Sequence, residues 1–123
     1  MTIKSSEQIN YDEMSDFDIT VQVAASLMPE CNHAHTVDDN GNGEAEFWCA
    51  NPIGETVNAG KYNFCNDPCD AWSIIVDNKL SLEPHATEDT YFSATRHCEF
   101  NHQDKNPLRA AMICFLKMKG TEK

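Results

Sequence analysis

The sequence contains little positive charge. Nine Lys and Arg residues stand against 20 Asp and Glu residues, which gives a formal net charge of −11. Proteins that bind nucleic acid through a basic footprint need clustered cations, so this composition argues against that class. No apolar run approaches the roughly 20 residues of a membrane span, and residues 1–7 lack the apolar core of a secretory signal. We therefore expect a cytoplasmic protein without direct contact to nucleic acid or membrane.

The common catalytic signatures are missing as well. The sequence has no Ser/His/Asp arrangement, no paired-carboxylate motif and no glycine-rich nucleotide fingerprint. Without an export signal, its six cysteines are expected to be reduced. Cys65 and Cys69 flank a predicted helix start, where a thiol can become reactive, but no Cys-x-x-Cys motif accompanies them and a buried structural role is favoured. We name no catalytic residue and no cofactor.

One Cys/His cluster has the spacing of a metal site. Cys31, His33 and His35 alternate in a predicted strand, which places all three on one face. Cys98 and His102 can complete a tetrahedral zinc set if the two segments meet. Neither segment has the tight Cys-x2-Cys spacing of structural zinc sites, so no metal is predicted, and these five residues are the candidates if one binds.

A helix start near the middle of the chain is the best-specified element. Asp67 can cap the free N–H groups, and Pro68 suits the first helical position because it has no N–H to satisfy. Trp72, Ile75 and Val76 follow at i, i+3 and i+4 and form one apolar patch. The pattern predicts a helix that buries Trp72.

Two further helices are predicted from similar signals. Ser15 begins a capping box, and apolar residues at four-residue intervals predict a first helix over 16–28. Asn106 and Pro107 repeat the cap and proline of the central helix, which predicts a last helix over 107–119. Its expected core stripe consists of Leu108, Ala111, Met112 and Phe115.

The segments between these helices resemble strands. Residues 33–37 and 44–50 enclose the Asn-Gly-rich loop 38–43, a strong hairpin signal, and Ala45 and Phe47 are expected on the buried face. Residues 51–61 have turn chemistry without a period and are predicted to be a surface loop. Leu80 and Leu82 alternate before a proline, and residues 91–95 supply a further strand.

These elements predict one α/β domain. At 123 residues the chain matches the usual size of a single domain. We expect an α-β-α sandwich in which three helices enclose a mainly antiparallel four-stranded sheet, in the order α-β-β-α-β-β-α. The domain is expected over residues 15–120, with a flexible leader over 1–14 and a short tail over 121–123.

The negative charge is distributed unevenly. Residues 1–95 hold 17 acids and three bases, whereas residues 96–123 hold three acids and six bases. An acidic surface usually serves solubility, but it can also present carboxylates to a basic partner protein. The acids expected to form such a face lie in or beside the first hairpin: Asp38, Asp39, Glu44 and Glu46.

Three segments of the chain resemble the signature blocks of the NinX-like phage protein family. They are Asp16-Phe17-Asp18-Ile19, the run Tyr62-Asn63-Phe64-Cys65-Asn66-Asp67-Pro68 that continues into Asp70-Ala71-Trp72-Ser73-Ile74-Ile75, and Asn106-Pro107-Leu108-Arg109-Ala110-Ala111-Met112-Ile113-Cys114-Phe115-Leu116. The resemblance implies a phage gene product with the fold called the phage ABA sandwich domain. It implies no catalytic residues. Cys69, Ser73 and the insertion-like stretch 38–44 depart from the family pattern.

Arg109 is the unusual residue in these shared blocks. A cation in the first turn of a helix opposes the helix dipole, so Arg109 is expected to have an acidic partner. Asp70, in the matching turn of the central helix, is the predicted partner.

Three functions follow from the sequence and the resemblance. The first is a non-catalytic phage accessory protein that acts in the host-cell cytoplasm and binds a host protein, a host defence factor being one candidate, through its acidic surface. The second is a binding module for a small nucleotide-like ligand, because the aromatic and cationic residues near helix starts suit such a ligand: Tyr62, Phe64, Trp72 and Arg109. The third is a Cys/His-dependent enzyme or zinc protein.

Overall fold

A computed structural model describes residues 10–27, 34–95 and 99–121. Three α-helices are described: α1 (Asp16–Leu27), α2 (Pro68–Asp77) and α3 (Pro107–Thr121). The six described strands are β1 (Ala34–Gly41), β2 (Glu44–Ala50), β3 (Thr56–Tyr62), β4 (Glu83–Pro84), β5 (Tyr91–Ala94) and β6 (Asn101–Asp104). A short 3-10 helix, Tyr11–Glu13, precedes α1. None of the helices in these ranges combines the length and the apolar character that a membrane span requires.

The strands form two sheets instead of one. One antiparallel sheet has the order β1-β2-β3 and the other β4-β5-β6. The prediction of an α/β fold with three helices and antiparallel strands is confirmed for the described residues, but the single four-stranded sheet is wrong. The difference comes from β3 and β6, neither of which was predicted.

β3 was missed because it is an exposed edge strand. The segment 51–61 was predicted to be a loop, yet Thr56–Tyr62 pairs antiparallel with β2. All seven of its residues are exposed or half-buried, so no apolar alternation marks the strand. Its register shifts opposite Phe47 and Trp48, close to Gly60, whose φ is +123°. Backbone pairing, which leaves no composition signal, is what makes this segment a strand.

The core is built around α3. The first sheet packs on α1, α1 packs on α3, and α3 also contacts α2 and the second sheet. A helix with neighbours on several sides must be apolar on all of them. Its central residues are accordingly all at most 5% exposed: Ala110, Ala111, Met112, Ile113, Cys114, Phe115 and Leu116. The predicted core stripe of α3, which covers only one face of the helix, is therefore narrower than the surface that is actually buried.

α2 buries a different face from the one predicted. Ala71, Ile74 and Ile75 are buried, whereas Trp72 is 61% exposed and Val76 is 48% exposed. The prediction that Trp72 is buried is wrong. The buried face begins at Ala71 instead of at Trp72, one residue earlier than predicted. A displacement of one residue rotates the buried face by about 100° around the helix axis. The small Ala71 side chain lets α2 approach the core closely, which the larger indole ring prevents.

The predicted helix caps are present. The Asp67 carboxylate accepts a hydrogen bond from the Cys69 backbone N–H at 2.9 Å. Ser15 Oγ accepts one from the backbone N–H of Asp18 at 3.0 Å. At the start of α3, the Asn106 side-chain oxygen accepts from the Leu108 N–H at 2.9 Å. These contacts satisfy N–H groups that have no partner within the first turn of a helix.

The first hairpin is also present, with a shorter turn than predicted. Strand β1 continues to Gly41, so Asp38 and Asp39 lie in the strand instead of in a loop. The chain reverses at Asn42 and Gly43, whose φ values are +57° and +88°. This is the left-handed region that Asn and Gly tolerate, so the Asn-Gly prediction is confirmed.

Candidate functional site

Arg109 occupies the centre of an ion-pair cluster. Its Nη1 donates to Asp16 Oδ1 at 2.6 Å, and its Nε donates to Asp104 Oδ2 at 3.0 Å. The Arg109 side chain is only 11% exposed. The prediction that Asp70 is this partner is wrong. The Asp70 carboxylate instead accepts a hydrogen bond from the backbone N–H of Asn63 at 2.9 Å. Arg109 thus meets the expectation of an acidic partner, but the partners come from α1 and β6.

The same guanidinium holds the segment that precedes α1. Arg109 Nη2 donates to the backbone carbonyls of Tyr11 at 2.9 Å and Met14 at 2.7 Å. This segment falls within the predicted flexible leader, yet residues 11–13 form the 3-10 helix. Burial lowers the pKa of Arg109, but the hydrogen bond to Asp16 and the charges of Asp104 and Asp16 outweigh it and raise the pKa overall. Arg109 is therefore a permanent cation that organises this end of the fold.

A network of asparagines attaches the hairpin turn to the starts of α1 and α2. The Nδ2 atom of Asn66 lies 3.1 Å from Asp16 Oδ2, 3.1 Å from the Asn42 carbonyl oxygen and 3.0 Å from Asn63 Oδ1. Asn63 Nδ2 also donates to the Asn42 carbonyl, at 3.0 Å. Each side-chain amide offers two N–H donors and one acceptor oxygen. Two such side chains, Asn63 and Asn66, therefore link the turn to the starts of both helices. The turn is consequently fixed in position.

Gly43 shows how tightly the turn is held. A Cβ atom at this position would lie 2.8 Å from Asn66 Nδ2 and 2.8 Å from Asp16 Cβ. Real Cβ atoms do not approach neighbours this closely, so only glycine fits. The hairpin tip is therefore a rigid part of the surface beside it.

A cleft of about 660 Å³ opens beside this junction. Asp16 and Asp39 contribute carboxylates to its lining, and Phe17 contributes an aromatic ring. No Lys, Arg or His takes part in the lining that the described residues form. The wall is thus rich in hydrogen-bond acceptors and suits a cationic or amide group. The complete lining is Ser15, Asp16, Phe17, Asp39, Gly41, Asn42, Gly43, Asn63 and Asn66.

Neutral donors orient three of the four hairpin acids. Asp38 Oδ2 accepts from the Trp48 indole Nε1–H at 2.9 Å, and Asp39 Oδ1 accepts from the Gly41 N–H at 2.9 Å. Glu46 accepts from two amide groups, Asn40 Nδ2 at 3.1 Å and Asn58 Nδ2 at 2.6 Å. These donors fix the carboxylates without cancelling their charge.

No described base forms an ion pair with this acidic group. The recorded ion pairs of residues 10–27, 34–95 and 99–121 join Arg109 to Asp16 and Asp104, and His102 to Asp12. Asp38 and Asp39 are exposed, and Glu44 and Glu46 are partly buried. We call these four residues, with the cleft beside them, the acidic hairpin site. Within the described part of the chain none of the four acids has an ion-pair partner, although Lys61 lies opposite Glu46 in the pairing of β2 with β3.

The structure separates the four residues predicted to bind a small ligand. Tyr62 stacks on Phe64 with ring centroids 5.3 Å apart, and Phe64 is 3% exposed, so this pair belongs to the core. Arg109 donates to the ion-pair cluster, and Trp72 lies on the outer face of α2. Among the described residues, no recorded ring contact involves Trp72. Ligand binding by this set stays a prediction.

Burial keeps two of the described cysteine thiols protonated. Burial, with a further contribution from the Asp16 charge, raises the pKa of Cys65 to about 12. Burial also raises the pKa of Cys114. A nucleophilic cysteine needs the opposite shift, because the thiolate is the reactive form. Cys69 is exposed and Cys49 is partly buried.

The predicted metal ligands fall largely outside the described residues. Cys31, His33 and Cys98 are not among the described residues, and neither is the side chain of His35. His102 is described, and its Nε2 atom lies 2.8 Å from Asp12 Oδ1. Asp104 belongs to the same group, in which one ligand atom from each residue lies within 4.8 Å of the others.

One feature of this group is visible in the sequence. His102 and Asp104 alternate along one strand, a spacing that places both side chains on the same face. Asp12 is 90 residues away in the chain. Its proximity follows from the fold and has no sequence pattern.

Comparison with protein-family models identifies one match. The model described as "Bacteriophage P22, NinX" matches residues 10–119, which is nearly the whole chain. Searches among curated proteins and among solved structures found no match. The matched range includes the Arg109 cluster and the acidic hairpin site.

Proposed function

The chain belongs to the family described as Bacteriophage P22, NinX, and on this basis we propose that it is a non-catalytic phage accessory protein that binds a basic host protein through the acidic hairpin site. It acts in the host-cell cytoplasm, where binding interferes with the partner. A host defence factor is one candidate partner. The family supports the phage origin, and the partner is argued from the chemistry of the surface.

The oriented carboxylates of the hairpin, none of which has an ion-pair partner among the described residues, carry this proposal. Asp38, Asp39 and Glu46 are held by neutral donors, so little conformational entropy is lost when a cationic partner arrives. The Glu44 carboxylate makes no hydrogen bond or ion pair with the described residues. Carboxylates held in fixed positions can match a complementary pattern of positive charges on a partner, which favours recognition of a basic protein.

The neighbouring cleft gives the surface a place for one partner side chain. Asp39 belongs both to the acidic hairpin and to the cleft lining. The cleft opens to solvent and offers carboxylate and amide acceptors beside the Phe17 ring. An Arg or Lys side chain matches this combination, because its charged head pairs with acids while its stem packs on apolar surface.

The outer face of α2 carries a second exposed feature, an apolar patch. The exposed Trp72 and Val76 side chains lie one turn apart. Exposed tryptophans are frequent energetic centres of protein interfaces, which favours a protein partner over a small ion.

The test compares two variants with the same change in total charge. One neutralises the hairpin acids: Asp38→Asn, Asp39→Asn, Glu44→Gln and Glu46→Gln. The control neutralises four exposed acids elsewhere: Glu55→Gln, Asp77→Asn, Glu83→Gln and Asp89→Asn. Wild type and both variants are used to capture host proteins from infected cells, and the captured protein is then produced for kinetic measurements.

We expect a basic protein that is retained by wild type and control but not by the hairpin variant. Its association rate should fall about tenfold for the hairpin variant and should decrease from 0.1 M to 1 M salt, as the Debye length shortens from about 10 Å to about 3 Å. Equal association rates for both variants, or rates independent of salt, would contradict the proposal. Circular dichroism of both variants verifies that the fold is intact.

A further inference from the structure

We propose that Asp12, His102 and Asp104 form a binding site for a divalent transition-metal ion of the zinc type. One ligand atom from each residue lies within 4.8 Å of the other two. Ligands of a tetrahedral ion at about 2.1 Å are separated by roughly 3.4 Å, so small side-chain rotations suffice to gather them around an ion. This site is distinct from the acidic hairpin site.

The protein positions all three ligands in advance. His102 and Asp104 project from one face of β6, and their side chains are 11% and 17% exposed. Asp12 lies in the 3-10 helix, where the carbonyls of Tyr11, its first residue, and of Met14, its C-cap, accept hydrogen bonds from Arg109. The ligands therefore come from two segments that Arg109 already holds together. Ligands that are fixed by the fold lose less entropy when an ion binds.

The local charge favours a divalent cation. Arg109 pairs with the carboxylates of Asp16 and Asp104, and the Asp12 carboxylate contacts His102. With His102 neutral, which is the form that binds a metal, three carboxylates stand against one cation and two negative charges are left over. A divalent ion offsets both. Asp104 contacts Arg109 Nε through Oδ2 and the Asn106 N–H through Oδ1, and each carboxylate oxygen has a second lone pair for an ion.

The donor set indicates which class of ion binds. One imidazole nitrogen and two carboxylate oxygens suit Zn²⁺ and related first-row ions, whereas Mg²⁺ and Ca²⁺ prefer oxygen donors alone. Three protein ligands leave one tetrahedral position for water. Asp12 is 65% exposed, which gives an ion access from solvent.

Titration of the full-length, chelator-treated protein tests the site. We expect isothermal calorimetry to show one Zn²⁺ per chain and differential scanning fluorimetry to show a higher Tm with Zn²⁺, but not with the same concentration of Mg²⁺ or Ca²⁺. Asp12→Asn and His102→Gln should each weaken Zn²⁺ binding by at least about tenfold. The control variants Asp18→Asn and His85→Gln, which change the same residue types outside the group, should bind as wild type does.

The Cys/His set that the sequence suggests is the alternative location for zinc. Cys31→Ser combined with His33→Gln should leave binding unchanged, and Co²⁺ bound in place of Zn²⁺ should show no thiolate charge-transfer band. Loss of binding in this double variant, or a strong thiolate band, would overturn the proposal by moving the ion to the cysteines. Absence of Zn²⁺ binding to wild type would overturn it outright. Neither result bears on the partner binding proposed above, which uses other residues.

Discussion

Helices α2 and α3 begin in the same way and end in different environments. Each starts with a side-chain cap followed by proline: Asp67 and Pro68 for α2, Asn106 and Pro107 for α3. Yet α3 is buried on all sides over residues 110–116, whereas α2 leaves Trp72 exposed. The start of a helix is thus decided locally, while the extent of its burial is decided by its neighbours.

The residues in the first turns show why the two helices differ. Asp70 in α2 is acidic, as the helix dipole favours, and it accepts a hydrogen bond from the nearby Asn63 backbone. Arg109 in α3 opposes the dipole, and it is compensated by Asp16, which is 93 residues away in α1, and by Asp104, which is five residues away in β6. The unfavourable charge at the start of α3 is therefore offset by contacts that hold α1 and β6 against it.

The largest expected effect is the removal of a core side chain from α3. Phe115 is 1% exposed and lies in the fully buried stretch of α3, the helix that contacts α1, α2 and the second sheet. Phe115→Ala should lower the free energy of unfolding by about 3–5 kcal/mol, as large aromatic truncations in cores do. Urea denaturation measures the change. A loss below about 1 kcal/mol would contradict the central position of α3.

Cys65, which lies beside both helix starts, gives a smaller, pH-dependent effect. Its carbonyl accepts from Asn106 Nδ2 at 2.6 Å, and burial raises the pKa of its thiol to about 12. In the unfolded chain the thiol ionises near pH 9, whereas in the folded protein it stays neutral until about pH 12. Its contribution to stability is therefore fully present below pH 9 and is lost as the pH rises towards 12.

The expected loss from Cys65 is about 1.4 kcal/mol per pH unit within this window. Urea denaturation of wild type and Cys65→Ala between pH 8 and 11 measures it. The free energy of unfolding of Cys65→Ala should fall less steeply with pH than that of wild type, by about 1.4 kcal/mol per pH unit. This comparison of slopes does not depend on the stability of the variant at pH 8. Cys69→Ala, which removes an exposed thiol four residues away, is the control for the removal of a thiol as such. Equal slopes for wild type and Cys65→Ala would show that Cys65 ionises in the folded protein.

Local features of the fold could be predicted from the sequence. The caps at Ser15, Asp67 and Asn106 and the turn at Asn42 and Gly43 depend on side chains that contact backbone a few residues away. These contacts leave fixed spacings in the sequence. The buried alternation of Ala45 and Phe47 in β2 is equally local, since a strand that covers a helix repeats every two residues.

Features that depend on distant segments could not be predicted. Edge strand β3 is held by pairing with β2 and has no apolar period. The ion pairs of Arg109 join residues 93 apart for Asp16 and five apart for Asp104, and no spacing rule selects them among the many acids. The acidic charge of the hairpin is visible in the sequence, but the hydrogen bonds that Trp48, Asn40 and Asn58 donate to these acids form only in the folded sheet.

The smallest expected effect on stability is the truncation of Trp72, which sharpens the contrast between the two helices. Because this side chain is 61% exposed, Trp72→Ala should cost less than about 1 kcal/mol in urea denaturation, and the higher helix propensity of Ala offsets part of that cost. Ile75→Ala is the matched control, since Ile75 is 6% exposed on the same helix, and it should cost about 2–5 kcal/mol. If Trp72 belongs to the partner interface, Trp72→Ala should weaken partner binding while stability is nearly unchanged. A stability loss as large as that of Ile75→Ala would instead return Trp72 to the core and give α2 the same buried character as α3.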